Sequence, residues 1–235
     1  MTELKYLFPA KPLIGMIHLA GGSKKEKIEL ALSEMKIYQE EGINGVIIED
    51  YHGSPEDVVS VLHQISKYNF KIIKGINLLR NPIKSFDLAK EFGAKFVQFD
   101  SVQTPNLNLE LYQTQRKKHK HMTVLGGVGF KYIPPTGNTL EKDLIEGKSR
   151  CEAIVTTGSG TGIETPLDKL REFKNLLGEF PLIIGAGVNL ENIRSQLMIG
   201  DGAIIGSYFK PQGNTQLPVD RMKVRSLVEA VRNFR

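Results

Sequence analysis

One alternation constrains this chain more than any other feature: a short apolar, strand-type run followed by a helix-type stretch, eight times from end to end. The units recur at roughly 29 residues each, the spacing of consecutive βα units. The apolar runs are Pro12–Ile17, Gly45–Asp50, Lys71–Asn77, Lys95–Asp100, Thr123–Lys131, Glu152–Thr157, Pro181–Gly187 and Asp201–Gly206. They are rich in Ile, Val and Phe without strict alternation, as parallel strands buried on both faces are. Eight such units in 235 residues predict an α/β protein, a single (β/α)8 TIM barrel; the competing layout is a doubly wound open sheet. No Pro- or Ser-rich linker divides the chain, so residues 1–235 read as one domain.

Helix signals fall between the strands. A Lys/Glu-rich stretch runs from Ser23 to Glu41 and stops at Gly42. Ser54-Pro55-Glu56-Asp57 offers an N-cap, a proline suited to the first helical position and an acid to complete the cap, opening a helix to about Tyr68. Thr165-Pro166-Leu167-Asp168 predicts the same device. Further helices are expected over about Pro82–Phe92, Leu109–Lys118 and Thr139–Ser149, from Asn189, and over about Val219–Phe234.

In a TIM barrel the active site lies at the C-terminal ends of the strands. Those ends offer His18, Glu49, Asp50, Asn77, Gln98, Asp100, Lys131 and Thr156, with Gly158 opening the loop after the sixth strand. Gln98 and Asp100 are two apart and so share a face. Polar side chains ringed about one mouth are costly unless they bind something. Each also has a structural reading: His18 as a rim hydrogen-bonder, Glu49 or Asp50 as a cap, Asn77 as a loop brace, Asp100 as the ion-pair partner of Lys131. Gly185-Ala186-Gly187 closes the seventh strand and Gly206-Ser207 the eighth. Glycine lets backbone N–H groups approach a ligand, and the loops after strands seven and eight hold phosphate in many barrels. Gly185, Gly187, Gly206 and Ser207 are therefore the candidate phosphate site; tight packing of short loops is the alternative.

Composition narrows the classes. Cys151 is the one cysteine, which excludes an intrachain disulfide and multi-cysteine zinc sites; it precedes its strand and reads as structural. The net charge of +5 is a mild excess that favours anionic ligands. The basic run Arg116 to His121 reads as a solvated helix end, with no interleaved aromatics to make a nucleic-acid platform. The N-terminus lacks the order of a signal peptide, and no apolar run approaches the ~20 residues of a membrane span, so a soluble, cytoplasmic protein is expected.

Several stretches carry a likeness. Pro12 to Leu19 (PLIGMIHL), Glu49 within IIEDYHGSPED, and Gly75 to Asn81 (GINLLRN) resemble the BtpA family. So do Val155 to Gly158 with Thr161-Gly162, Gly185 to Val188, Asp201 to Ser207, and Lys210 with Pro218-Val219-Asp220. The resemblance implies a TIM barrel grouped with the phosphate-binding barrels. It also brings in a role described for cyanobacterial members, peripheral thylakoid proteins that support photosystem I accumulation, which non-photosynthetic members cannot share. Departures are local. The loop after His18 is short, Leu19 to Ser23, where the family has a longer, proline-rich one; Asp50 and Asp100 stand where the family tends to have Asn, and Tyr132 where it has His.

Two functions remain open from sequence. One is an enzyme acting on a small phosphorylated metabolite, a sugar or nucleoside phosphate, with His18, Glu49, Asp100 and Lys131 as catalytic candidates and Asn77, Thr156, Gly158 and the glycine loops as binding candidates. In that reading Lys131 stays charged, and Glu49 or Asp100 transfers a proton or, if a divalent cation is used, ligates it. The other is a non-catalytic assembly or stability factor. Homo-oligomerisation is an open option in both.

Overall fold

The computed structural model describes residues 3–8 and 10–232. Eight strands close into a barrel in chain order: β1 (Leu13–Ile17), β2 (Gly45–Glu49), β3 (Ile73–Asn77), β4 (Phe96–Phe99), β5 (Thr123–Gly127), β6 (Ala153–Thr156), β7 (Leu182–Ile184) and β8 (Gly202–Ile205). Every neighbouring pair is parallel, including β8 on β1, so the open sheet is excluded.

Strand residues divide by alternation into two apolar clusters. Ile14, Met16, Ile47, Phe96, Leu125, Val155, Ile183 and Ile204 fill the barrel interior. Leu13, Ile17, Val46, Ile48, Val97, Val124, Ile154 and Ile205 face outward into the larger cluster beneath the helices. Gly75 makes the interior possible: a Cβ there would lie 2.2 Å from the Phe96 ring. A short helix not anticipated from sequence, α1 (Glu3–Leu7), plugs the bottom; Leu4 and Phe8 join the interior cluster, and the Phe8 ring meets Phe96 edge-on at 5.9 Å.

The outer helices are α2 (Lys24–Glu40), α3 (Pro55–Ile65), α4 (Ser85–Glu91), α5 (Leu109–Lys118), α6 (Leu140–Lys148), α7 (Leu167–Leu177), α8 (Ile193–Leu197) and α9 (Arg221–Val231). Ser23 with Glu26 and Ser54 with Asp57 form complete capping boxes on α2 and α3. The cap expected at Thr165 does not form. Pro166 caps α7 without a side-chain bond, because the Thr165 hydroxyl is buried and donates to the Ala186 carbonyl instead. After β8 the chain makes two 3-10 turns, Ser207–Phe209 and Pro211–Gly213, and α9 begins past the Asp220 cap rather than at Val219. Phe234 lies outside the described residues. The basic run is less solvated than expected: Arg116 pairs with Glu152 at 2.6 Å, and buried His119 stacks on Phe86 and meets Asp87. Cys151 is buried behind α6, as its position before β6 implied.

Candidate active site

Alternation also decides which side chains reach the mouth. Two residues past each interior position stand His18 (after Met16), Glu49 (after Ile47), Asn77 (after Gly75), Gln98 and then Asp100 (after Phe96), Gly185 (after Ile183) and Gly206 (after Ile204). His18, Glu49, Gln98, Asp100, Gly185 and Gly206 line one cavity at the C-terminal end, together with Lys131, Gly187 and Ser207. It encloses about 690 Å³, solvent at its opening included.

Its floor is a carboxylate pair joined by one amide. Asn77 Nδ2 donates to Glu49 Oε1 at 2.8 Å and to Asp100 Oδ1 at 3.0 Å. Gln98 Nε2 donates to the same Asp100 oxygen at 3.1 Å. Asn77 is itself fully enclosed and orients the acids from below rather than lining the cavity. Burial, and then the neighbouring Asp100 charge, pushes the Glu49 carboxyl up to about 8, against the pull of Lys131 and the Asn77 bond. Burial raises Asp100 too, opposed by hydrogen bonds from Asn77 and Gln98. The acids titrate as a pair and retain a proton at neutral pH.

His18 stands beside them, buried, with its ring edge-on to Tyr51 at 5.2 Å. Burial, reinforced by Lys210, His52 and Lys131, holds its imidazole down at about 3, so the ring is neutral at physiological pH. Lys210 is itself buried behind the mouth in an ion pair with Glu34 of α2.

Lys131 departs from its expected place. β5 ends at Gly127, and Gly129 turns the chain with φ +58, so Lys131 sits in the following loop and not on the strand. Its N–H donates to Thr157 Oγ1 at 2.6 Å, and its ammonium stands 5.6 Å from the Phe130 ring centroid. It still lines the cavity. Among the described residues no ion pair joins it to Asp100; it acts on Glu49 and Asp100 as a nearby charge.

Three other candidates are placed by parity and packing. Asp50 faces outward and braces two loops, accepting from Leu79 N–H at 2.6 Å and from Arg80 at 3.3 Å. Thr156 also points away from the interior; it is fully buried, and its hydroxyl reaches the Gly129 carbonyl. Gly158 packs on the loop that follows it, where a Cβ would meet the Ile163 carbonyl at 2.5 Å. Neither Thr156 nor Gly158 lines the cavity.

The glycines of the opposite wall are demanded by the protein's own packing. A Cβ at Gly187, whose φ is +68, would lie 2.3 Å from the Glu164 backbone, and one at Gly206 would lie 2.9 Å from His18 Cε1. The Gly185 N–H is committed to the Thr156 carbonyl at 2.8 Å. The N–H groups of Gly187, Val188 and Ser207 carry no hydrogen bond among the described residues. These three residues also border an open groove that continues from the cavity past Thr161 and Gly162 to Lys223.

Other lining residues escaped the sequence. Tyr51 follows β2 and Thr161 follows β6, on opposite sides of the ring, yet their hydroxyls meet at 3.3 Å across the mouth. Tyr132 accepts the Thr161 N–H at 3.0 Å. Loop residues such as these obey no period, so only the closed barrel brings them together. Among the described residues no cluster of three or more His, Cys, Asp or Glu is arranged to hold a metal ion. The place between the two acids is taken by the Asn77 amide, whose N–H groups oppose a cation.

The sequence profile of the BtpA family matches residues 9–233. This chain belongs to the BtpA family. Relatives include an uncharacterized protein of Pyrococcus furiosus, 29% identical over 94% of this chain and 95% of that one. The photosystem I biogenesis protein BtpA of Synechocystis is 27% identical over 94% of this chain and 88% of its own length. The sgc region protein SgcQ of Escherichia coli is 25% identical over 88% and 85%. Among solved structures, N-(5'-phosphoribosyl)anthranilate isomerase from Pyrococcus furiosus superposes with TM-score 0.63 at 14% identity, covering 95% of this chain and 99% of that one. Native KDPGal superposes with TM-score 0.64 at 18% identity over 94% and 95%. These likenesses establish the shared barrel. No helix among the described residues of this BtpA-family chain is long and apolar enough to cross a membrane.

Proposed function

We propose that this BtpA-family protein is a cytoplasmic enzyme acting on a small phosphorylated metabolite, a sugar or nucleoside phosphate. The observation that carries the reading is the buried pair Glu49–Asp100, held by one Asn77 amide at the floor of a cavity. Burying two carboxylates is expensive, and a protein that worked only through its outer surface has no use for them. The second support is the facing wall, where the N–H groups of Gly187, Val188 and Ser207 are free to meet an anion. The fold likeness to an isomerase whose name includes a phosphoribosyl group agrees with such a substrate class.

In this reading phosphate anchors the substrate at the loops after β7 and β8, and its reacting carbon lies over the carboxylates. Glu49, protonated at neutral pH, donates a proton, and Asp100 accepts one, with Asn77 fixing both. The Lys131 side chain, at the cavity wall, stabilises an oxyanion or enolate as it develops. Neutral His18 offers a hydrogen bond without adding charge. The test is a thermal-shift screen of phosphorylated metabolites against their unphosphorylated counterparts. A ligand at 100 times its Kd adds about 2.7 kcal/mol of stability. Selective shifts by phosphorylated compounds are expected; a screen in which no phosphate ester raises Tm overturns the reading.

A further inference from the structure

We propose that Gln98 recognises a hydroxyl group of the ligand, and that the ligand is a sugar phosphate rather than a phosphate ester without hydroxyls. The inference rests on the reading of the cavity as a phosphate-ester site and narrows it.

The orientation of the Gln98 amide is fixed by its neighbour. Its Nε2 lies 3.1 Å from Asp100 Oδ1. That oxygen already accepts the Asn77 amide N–H and meets Gln98 as an acceptor too, so the NH2 end faces Asp100 and Oε1 is the other end. That Oε1 is buried and meets no donor among the described residues. Among the described residues five buried side-chain nitrogens and oxygens lack a hydrogen-bond partner, and of their residues only His18 and Gln98 line the cavity. A buried acceptor left without a donor costs roughly 1–3 kcal/mol, so its position at a ligand cavity is informative.

The neighbouring oxygens point the same way. Asp100 takes both amide donors on Oδ1, leaving Oδ2 without a protein donor among the described residues. The β4 side of the floor therefore offers two acceptors, Gln98 Oε1 and Asp100 Oδ2, that want O–H or N–H groups. The glycine wall has the opposite need: its free N–H groups want an anion. A ligand that satisfies both carries a phosphate at one end and hydroxyls along its chain. A carboxylate or a second phosphate at Gln98 would set acceptor against acceptor. Because residues 98 and 100 occupy successive inward positions on and just past β4, the barrel fixes the spacing of the two acceptors.

The test is calorimetric titration of the full chain with ribose 5-phosphate and with methyl phosphate, which has no hydroxyl donors to offer. Ribose 5-phosphate is expected to bind at least about ten-fold tighter, the scale of one satisfied buried hydrogen bond. Gln98→Met, close in shape but without the acceptor, should remove most of that advantage and leave the Kd for methyl phosphate within about twofold. Equal affinities for the two probes in the wild type, or equal weakening of both by Gln98→Met, overturn the role of Gln98 while leaving the phosphate site standing. If neither probe binds the wild type, the phosphate-ester reading fails and this inference with it. Should Gln98→Met not fold, the 2-deoxy and 3-deoxy analogues of ribose 5-phosphate decide on wild-type protein: one of them must lose at least about ten-fold, and unchanged affinity for both sinks the proposal.

Discussion

Strands β1 to β4 bring His18, Glu49, Asn77, Gln98 and Asp100 to the inward positions of the mouth, whereas β5, β7 and β8 bring Gly127, Gly185 and Gly206. The first half is electrostatically expensive. It buries two acids pushed toward protonation and an imidazole held neutral. The second half has glycine at the same level on three of its four strands, β6 bringing Thr157 instead, and those glycines make room for the first half: a Cβ at Gly127 would lie 2.0 Å from the Asp100 carbonyl, and one at Gly206 would push on His18. The two halves are one device. Glycines let the polar groups sink into the barrel, and the same glycine loops leave N–H groups free where an anion can be held.

If the polar half does the chemistry, Asp100→Asn should produce the largest effect. Once a substrate is in hand, turnover is expected to fall by ~100- to 10,000-fold, the usual contribution of a positioned acid or base. Steady-state kinetics with circular dichroism as a fold control checks this, and near-normal kcat would remove Asp100 from the chemistry. Lys131→Met comes next, with a loss of at least ~100-fold in kcat for one electrostatic donor and an unchanged fold. Trapping of a substrate adduct on Lys131 by borohydride would instead show Schiff-base chemistry.

The glycine half is tested by Gly206→Val. The new side chain must displace His18, whose ring carbon lies 2.9 Å from the Cβ position. Phosphorylated ligands should then lose their thermal shift, about 2.7 kcal/mol at 100 times Kd in the wild type. A full response from the variant would place the anion elsewhere. The smallest effect is a pH dependence of stability. Folded Glu49 keeps its proton up to about pH 8, whereas the unfolded chain loses it in the ordinary carboxylate range. Between those values the unfolded state binds fewer protons, so stability falls as pH rises. Tm of the wild type should therefore drop from about pH 5 to about pH 9, and Glu49→Gln should flatten that slope, with the two proteins nearest at the acid end. A slope left unchanged by the substitution would mean that Glu49 is not buried as an acid.

Much of the barrel was legible because it follows from local periodicity. Eight apolar runs with helical stretches between them have few closed arrangements, and the strands lie where those runs predict. Alternation, pursued along each strand, also separates Glu49 from Asp50 and Val155 from Thr156, so the inward member of each pair is readable without coordinates. The ends of elements were less legible. Lys131 moved off its strand because Gly129 turns the chain, and Thr165 gave up its cap for a buried bond to Ala186. Both outcomes depend on neighbours distant in sequence.

The parallel barrel, its mouth and the residue types gathered there follow from the period of two along each strand and the order of units along the chain. Closure of the barrel is what lets one Asn77 amide join Glu49 to Asp100, commits the Gly185 N–H while those of Gly187, Val188 and Ser207 carry no hydrogen bond among the described residues, and brings Tyr51 to Thr161 across the ring. The physical reason is that hydrogen bonds and burial are set by distances between strands and loops remote in sequence. Those distances exist only once β8 closes on β1.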